Sequence, residues 1–508
     1  MTSRLERITE QRLESLNRIR AHGVNPYPHC YHPSHTVKEA IALLVEHEAE
    51  ASHYSVSLAG RVVARRSMGK MAFLDIRDGS GKMQLCFRYD LLGGERYKFL
   101  RDEIDIGDII GAEGKLFRTK TGEITLEVSN FIMLCKSLRP LSEKWHGLVD
   151  VEKRYRQRYL DLIANEEAKI IFMLRSRIIT SIRNFLNDKG FTEVETPVLQ
   201  PQAGGAAARP FITHHYALDE DLYLRIALEL HLKRLVVGGF DKVYEMGRAF
   251  RNEGISVKHN PEFTLLECYQ AYSDYNDMMN LVQGMISRVA REVLGDAKIT
   301  CDGETIDLAP PWQRLYLREA IKDYCGIDFE DYPDAESLRD VILDSKASEI
   351  AAKRFEGDFE YLSDINVASR GKLIDKLIST FVEPNLVQPT FLLDYPVEMS
   401  PLAKRKRGND RLVERFEAFI NGMEIANAFT ELNDPIEQRE RFRRQLKERA
   451  TDEEVEIADE DFLQALEYGM PPTGGLGVGI DRLVMLLTGQ KSIREVILFP
   501  QLKIKEQK

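Results

Sequence analysis

The 508-residue sequence predicts an α+β protein, a largely antiparallel sheet with flanking helices preceded by a small β module. Three observations carry that expectation. The elements run helices, strands, helices, strands in blocks, whereas a parallel α/β sheet alternates them one by one. A tract of short strands occupies 56–134, and a glycine-rich strand feeding a last helix occupies 474–487. The chain is too long for one compact core and fits two or three domains.

In order along the chain, residues 1–22 predict an amphipathic helix with Leu5, Ile8, Leu13, Leu16 and Ile19 as its apolar face, ended by Gly23 and Asn25-Pro26-Tyr27-Pro28. A second helix covers about 36–50. Strands follow at 56–63, 71–77, 83–88, 108–118 and 123–134, with a helix between the third and fourth. This fits a small barrel of the oligonucleotide-binding type, and periodicity alone leaves a generic β module equally open. Residues 136–160 read as a linker. The helix 175–189 buries Ile178, Ile182, Phe185 and Leu186 and closes at Gly190. A strand at 192–196 stops at Pro197, and a strong helix covers 277–294. Residues 313–382 read as a mainly helical insertion, and strands return between 390 and 431. These signals divide the chain into a domain at 1–145 and a second at 146–508.

The composition, 43% hydrophobic and 30% charged, is that of an ordinary globular protein. No apolar run approaches the ~20 residues of a membrane-spanning helix, and the charged N-terminal stretch has no apolar signal core. Cys30, Cys86, Cys135, Cys268, Cys301 and Cys325 are scattered without C-x-x-C spacing, which predicts reduced thiols in a cytoplasmic protein. A net charge of −11 argues weakly against nucleic acid, but residues 1–140 hold 21 Lys and Arg against 18 Asp and Glu. A slightly basic N-terminal module on an acidic body is compatible with local RNA binding.

Three segments carry chemistry. In 244–271, period-two alternation groups Arg251 with Glu253, and Phe263, Leu265, Glu267 and Tyr269 on the return strand. Charged groups interleaved with aromatics point to a polar small-molecule site, against the alternative of a solvated charged face. In 416–431, Asn421-Gly422 predicts a type I′ hairpin turn. That turn places Glu417 one diagonal step from Glu424, about 7 Å away. Two such carboxylates suit Mg²⁺, unless they merely face solvent. Asn427, Phe429 and Glu431 have the opposite parity to Glu424, so one shared pocket requires a bulge near Ala426. In 474–482, Gly475, Gly477 and Gly479 strip one strand face of side chains, and Arg482 follows in the first turn of a helix. No P-loop pattern is present.

Together these segments resemble, in the right order, the three signature motifs of class II aminoacyl-tRNA synthetases: 175–197 the first, Arg251-Asn252-Glu253 the second, Gly475 to Arg482 the third. The class I signatures H-I-G-H and K-M-S-K-S are absent. Within the class, YLRIA with Glu229-Leu230, LKRLVVGGF, FRNEGIS, HNPEFT and TELNDP resemble the lysine enzymes. The resemblance covers nearly the whole chain. It implies a class II antiparallel catalytic sheet with flanking helices, an N-terminal OB-fold barrel that binds the anticodon of tRNA(Lys), and a homodimer.

The resemblance also implies roles. Arg251 would hold the α-phosphate of ATP and the lysine carboxylate; Glu253 would meet the adenine amino group, and Phe263 would stack on the ring. His259 and Arg482 would hold the distal phosphates. Glu417 and Glu424 would coordinate Mg²⁺. Glu229 and Gly205 backbone would take the α-ammonium of L-lysine, and Glu431, Glu267 and Tyr269 its ε-ammonium. Asn427 would take the carboxylate, and Phe429 would pack on the methylene stem. In the barrel, Phe73 and Gln84, with Arg66 nearby, match residues that stack on and hydrogen-bond anticodon bases; apart from the resemblance, Phe73 reads as core. The chain departs from its relatives at Ala426 and Ala428, where glycine is frequent, which predicts a locally different backbone. His231 has no evident ligand partner and reads as structural. A truncated paralogue that modifies a translation factor would lack the barrel tract at 56–134. A non-catalytic RNA-binding relative would lose Arg251, Glu253, Glu424 or Arg482, and all four are present.

Overall fold

The computed structural model describes residues 4–47, 54–141, 148–202, 204–206, 208–344, 369–449 and 459–503. The chain divides into two compact units, Met1–Asp150 and Val151–Lys508, each with its own core.

In the first unit, β1 (Ser55–Met68), β2 (Met71–Arg77), β3 (Lys82–Arg88), β4 (Ile109–Arg118) and β5 (Ile124–Cys135) close into a barrel in the order β1-β2-β3-β5-β4. Closure comes from the parallel pairing of β3 with β5 and the return of β1 to β4. Of the two alternatives that periodicity leaves open, the barrel therefore forms. Alternate residues such as Leu58, Leu74, Leu85 and Leu126 are fully buried inside it.

The N-terminal helix, Arg4–Ala21, buries a narrower face than its sequence predicts. Leu5 and Leu13 are exposed, and the packed face is Arg12, Ser15, Leu16 and Ile19. That face meets main-chain carbonyls as well as apolar groups. The Arg12 guanidinium donates to the carbonyls of Ile106, Ser137 and Arg139. The second helix is Val37–Glu46, started by a capping box between Thr36 and Glu39; the end of its predicted span, 48–50, lies outside the described residues.

The second unit contributes β6 (Thr192–Glu193), β7 (Leu199–Gln200), β8 (Ile212–His215), β9 (Glu220–Leu224), β10 (Lys242–Phe250) and β11 (Glu262–Ala271). Further along come β12 (Lys298–Cys301), β13 (Glu304–Asp307), β14 (Gln313–Tyr316), β15 (Thr390–Pro396) and β16 (Arg405–Lys406). The last three strands are β17 (Asn409–Ile420), β18 (Met423–Thr430) and β19 (Thr473–Gly479). The main sheet runs β14-β15-β17-β18-β19-β11-β10-β6, with β16 beside β17. It is antiparallel except at its edges, where β14 joins β15 and β6 joins β10 in parallel.

Two expectations change here. The strand predicted at 192–196 shrinks to Thr192–Glu193, and Thr196 turns its N–H and hydroxyl to the Glu245 carboxylate instead of continuing the ladder. Residues 313–316, expected to be helical, form the edge strand β14, where pairing with β15 overrides the local pattern. The rest of that region is helical at Leu317–Cys325, Ala335–Asp344 and Arg370–Leu377; 345–368 lie outside the described residues.

One face of the sheet packs under the helices Glu166–Asp188, Tyr275–Leu294 and Ile480–Thr488. Ile178, Phe185, Val282, Met285 and Val484 of the helices meet Phe416, Ala418, Ala426, Ala428, Leu476 and Val478 of the sheet. The opposite face of β11, β19, β18 and β17 is left for polar chemistry. No helix among the described residues is long and apolar enough to cross a membrane.

Candidate active site

The glycines of β19 form the floor of the site. On one side Gly475 lies opposite Tyr269 and Gly477 opposite Glu267 in β11; on the other they lie opposite Phe429 and Asn427 in β18. A Cβ on Gly475 would stand 1.9 Å from Glu431 Oε1 and 2.7 Å from Tyr269 Cε1, whereas one on Gly477 would meet nothing nearer than 3.7 Å. Gly475 is bare because neighbours fill its space; Gly477 is bare beneath open space that a ligand can enter. Gly475→Ala should therefore lower stability by about 1–3 kcal/mol through overpacking, while Gly477→Ala should leave it unchanged. Thermal melting of the two variants checks this contrast.

The hairpin β17–β18 aims the next set of side chains. Asn421 and Gly422 have φ of 53° and 65°, as a type I′ turn requires. The register passes from Phe419↔Glu424 to Ala418↔Ala426, leaving Ile425 as the extra residue. This is the bulge that the parity of Glu424 and Asn427 demands, one residue from Ala426. It turns Ile425 and Ala426 both into the core and brings Glu424, Asn427 and Phe429 to the same face as Glu417. Ala426 and Ala428 place their methyl groups in that core, and neither has a positive φ. Alanine is therefore accommodated at both positions without left-handed backbone strain.

Past Phe250 the strand ends, so Arg251 and Glu253 are not paired on a strand face as alternation predicts. Instead Arg251 N donates to Pro261 O, Asn252 N donates to Arg209 O, and Glu253 is exposed. The guanidinium of Arg251 lies over the Phe263 ring at 5.1 Å and donates from Nε to Ile226 O at 3.4 Å. Burial lowers its pKa, and Glu253, Glu424 and Glu267 oppose that shift. Arg482 reaches back to Glu424 Oε2 at 2.9 Å and to His259 Nε2 at 3.1 Å. Burial, with Arg482 next, holds His259 below the ordinary histidine range. Glu417 accepts from Tyr395 OH at 2.8 Å and from Arg415 Nη2 at 2.5 Å, and burial pushes its pKa up.

Deeper in, acidic groups crowd together. Glu267 accepts from Leu228 N and from Tyr269 OH, both at 3.0 Å. Burial, and then Glu229, raise its pKa to about 7. Glu431 is fully buried; Oε2 is ion-paired with Lys233, and Oε1 has no hydrogen-bond partner among the described residues. Glu229 opens the helix Glu229–Val237 and accepts from Lys233 Nζ at 2.5 Å. The segment leading to it is fastened by the buried pair Arg225–Glu245 at 2.6 Å. Gly247 leaves room for that pair, since a Cβ there would sit 2.1 Å from Arg225 Nη2. Gly205 has φ of +89° and a Cβ position 3.2 Å from Glu229 Cβ. Asn427 Oδ1 accepts from Arg415 Nε at 3.1 Å, which turns its amide hydrogens to other partners.

The predicted residues thus gather along one sheet face, except that Glu253 is held on an exposed loop. Motif reading missed two charged groups. Lys233 was legible as the i+4 partner of Glu229. Arg415 was legible as the strand neighbour two residues before Glu417, on the same face; it stacks on Tyr395 at 4.5 Å. His231 meets Gln200 at 3.3 Å, in keeping with a structural role.

On the barrel of the first unit, Arg66 lies opposite Phe73 across β1 and β2, and Asp75 opposite Gln84 across β2 and β3. All four alternate with the residues that fill the barrel core, and Asp75 and Gln84 are themselves buried. Phe73 is half-buried and not part of the core, unlike its reading in isolation. Gln84 is buried, with its amide already bonded to Glu123 and Thr125 at 3.0 Å each.

One sheet face thus carries a guanidinium at one end, carboxylates and basic residues beside it, and an acidic pocket beyond, and the chain as a whole falls in the class II synthetases. The description "tRNA synthetases class II (D, K and N)" matches residues 150–503, and "OB-fold nucleic acid binding domain" matches 56–134. The lysine–tRNA ligase of Dehalococcoides mccartyi is 58% identical over 505 residues, covering 99% of this chain and 98% of its own. That of Moorella thermoacetica is 56% identical over 497 residues, 98% of each chain. The chain belongs to the lysine–tRNA ligase family of class II tRNA synthetases.

Proposed function

We propose that the chain activates L-lysine with ATP as lysyl-adenylate and transfers the lysyl group to the 3′ end of tRNA(Lys), releasing pyrophosphate and then AMP. The observation that carries this is the buried, unpartnered Oε1 of Glu431 facing the bare glycine strand. Such an acceptor is costly to leave empty and is satisfied by a charged donor such as an ammonium group.

The lysine ε-ammonium meets Glu431, with Glu267 and Tyr269 beside it. Its α-ammonium meets Glu229 and the Gly205 backbone. Asn427 takes the carboxylate and Phe429 lies against the methylene stem. Adenine stacks on Phe263, with Glu253 on its amino group. Arg251 bridges the α-phosphate and the lysine carboxylate, so that the carboxylate oxygen attacks phosphorus in line with the leaving pyrophosphate. Its fixed charge stabilises the negative charge that builds on the phosphoryl oxygens. His259 and Arg482 hold the departing phosphates. Glu417 and Glu424 fit a magnesium ion as hard oxygen donors on one sheet face, once Glu417 loosens its bonds from Arg415 and Tyr395 and Glu424 its bond from Arg482; an incomplete protein ligand set suits an ion that keeps phosphate oxygens and water. Bound there, Mg²⁺ would screen the phosphate charge.

The same reading makes the outer barrel face the anticodon surface, with Phe73 stacking on a base and Gln84 and Arg66 beside it. Gln84 must exchange its internal partners for a base edge. Phe73→Ala should weaken tRNA charging by about 5- to 150-fold, since one base–aromatic stack is worth roughly 1–3 kcal/mol. Lysine-dependent pyrophosphate exchange should stay intact; loss of both would contradict a separate recognition module. The family resemblance implies a homodimer, which a solution mass of twice the chain tests. A panel of amino acids in ATP–pyrophosphate exchange tests the whole proposal. Exchange should require lysine and magnesium, and exchange with another amino acid but not lysine would refute it.

A further inference from the structure

The lysine pocket already contains an ammonium group of its own. Lys233 is fully buried one helical turn after Glu229. Its Nζ touches Glu229 Oε1 at 2.5 Å and is ion-paired with Glu431 Oε2. Three rings enclose it, Phe429 at 5.4 Å, Phe462 at 5.9 Å and Tyr269 at 6.0 Å. This position is not a stand-in for substrate. Lys233 reaches the carboxylates from the side of its helix and takes one oxygen of each. The other oxygen of Glu431 faces the position a Cβ on Gly475 would occupy.

We propose that Lys233 is a positioning residue that determines amino-acid specificity, pinning Glu229 and Glu431 so that each offers its remaining acceptor capacity to one ammonium group of the substrate. The inference rests on the reading of this pocket as the lysine site. Its physical basis is charge balance at close range. Glu229, Glu267 and Glu431 are each at most 7% exposed, and Lys233 is the one cation bonded to any of them among the described residues. Three carboxyl groups against one ammonium leave two of them without a cation, and burial raises Glu267 and Glu431 above the usual carboxylate range; an amino acid with two ammonium groups is the complement that ionises them. Removing one partner of a buried ion pair leaves an uncompensated charge, which the site relieves by taking up a proton. A protonated Glu431 would donate a hydrogen bond where the substrate needs an acceptor. Lys233 thus acts on lysine through the carboxylates and never touches it.

The test is ATP–pyrophosphate exchange by the full-length wild type, Lys233→Met and Lys233→Gln, with lysine and ATP varied separately. Methionine keeps the length and apolar stem; glutamine keeps a hydrogen-bond donor. The proposal expects the KM for lysine to rise about 150-fold or more in either variant, as for a broken buried pair, with the KM for ATP within about threefold of wild type. A residue that only filled space would change neither, so an unchanged KM for lysine in a folded variant overturns the proposal. Equal losses toward lysine and ATP also overturn it, as does failure of both variants to fold, because Lys233 would then support the structure generally. Absence of lysine-dependent exchange in the wild type would instead sink the lysine-site reading itself.

Discussion

Arg251→Gln should lower kcat/KM for lysine-dependent pyrophosphate exchange by about 10³-fold, the scale of losing a preorganised transition-state donor. The guanidinium is held by the protein's own groups, over Phe263 and by the Ile226 carbonyl. Burial weakens its hold on the proton and Glu253, Glu424 and Glu267 oppose that only in part, yet arginine holds its proton so tightly that the group remains a cation. Glutamine keeps a planar donor of similar length and loses the charge and the fork. Arg251→Lys should recover little, because a point charge cannot bridge phosphate and carboxylate at once. The measurement is initial-rate exchange with each substrate varied, alongside thermal melting. A small change in rate with unaltered melting would remove Arg251 from the centre of the mechanism.

Glu431→Gln should raise the KM for lysine by about 10³-fold, the order expected when one partner of a buried charge pair is neutralised. Glutamine nearly matches glutamate in shape, so Gly475 and Tyr269 keep their contacts. It presents an amide where an ammonium needs a carboxylate, and it leaves Lys233 with Glu229 alone. The KM for ATP should move little, since the residues proposed to hold the nucleotide lie elsewhere on the face. Substrate titrations of the variant check this. Comparable loss toward both substrates would mean that Glu431 supports the fold rather than selecting the amino acid.

Much of this site is legible in the residues alone, because strand periodicity, one hairpin turn and alternating glycines decide which side chains share a face. Asn421-Gly422 sets the register of β17 and β18, and the parity conflict between Glu424 and Asn427 demands the bulge at Ile425. What periodicity could not supply is contact between segments far apart in sequence. Lys233 meets Glu431 across nearly two hundred residues, and Arg482 meets His259 across more than two hundred. The edge strand β14 likewise depends on β15, a partner more than seventy residues away. Alternation also misleads where a strand ends early, as at Phe250, and Leu5 and Leu13 show that helical periodicity marks more apolar positions than packing uses.

The most direct measurement is a crystal structure of the full chain soaked with lysine and a non-hydrolysable ATP analogue. The account predicts the ε-ammonium within hydrogen-bonding distance of Glu431 Oε1, the methylene stem above Gly477 and the α-phosphate against Arg251. Lysine bound elsewhere, or a nucleotide that leaves Arg251 on Phe263 with no phosphate contact, would contradict it.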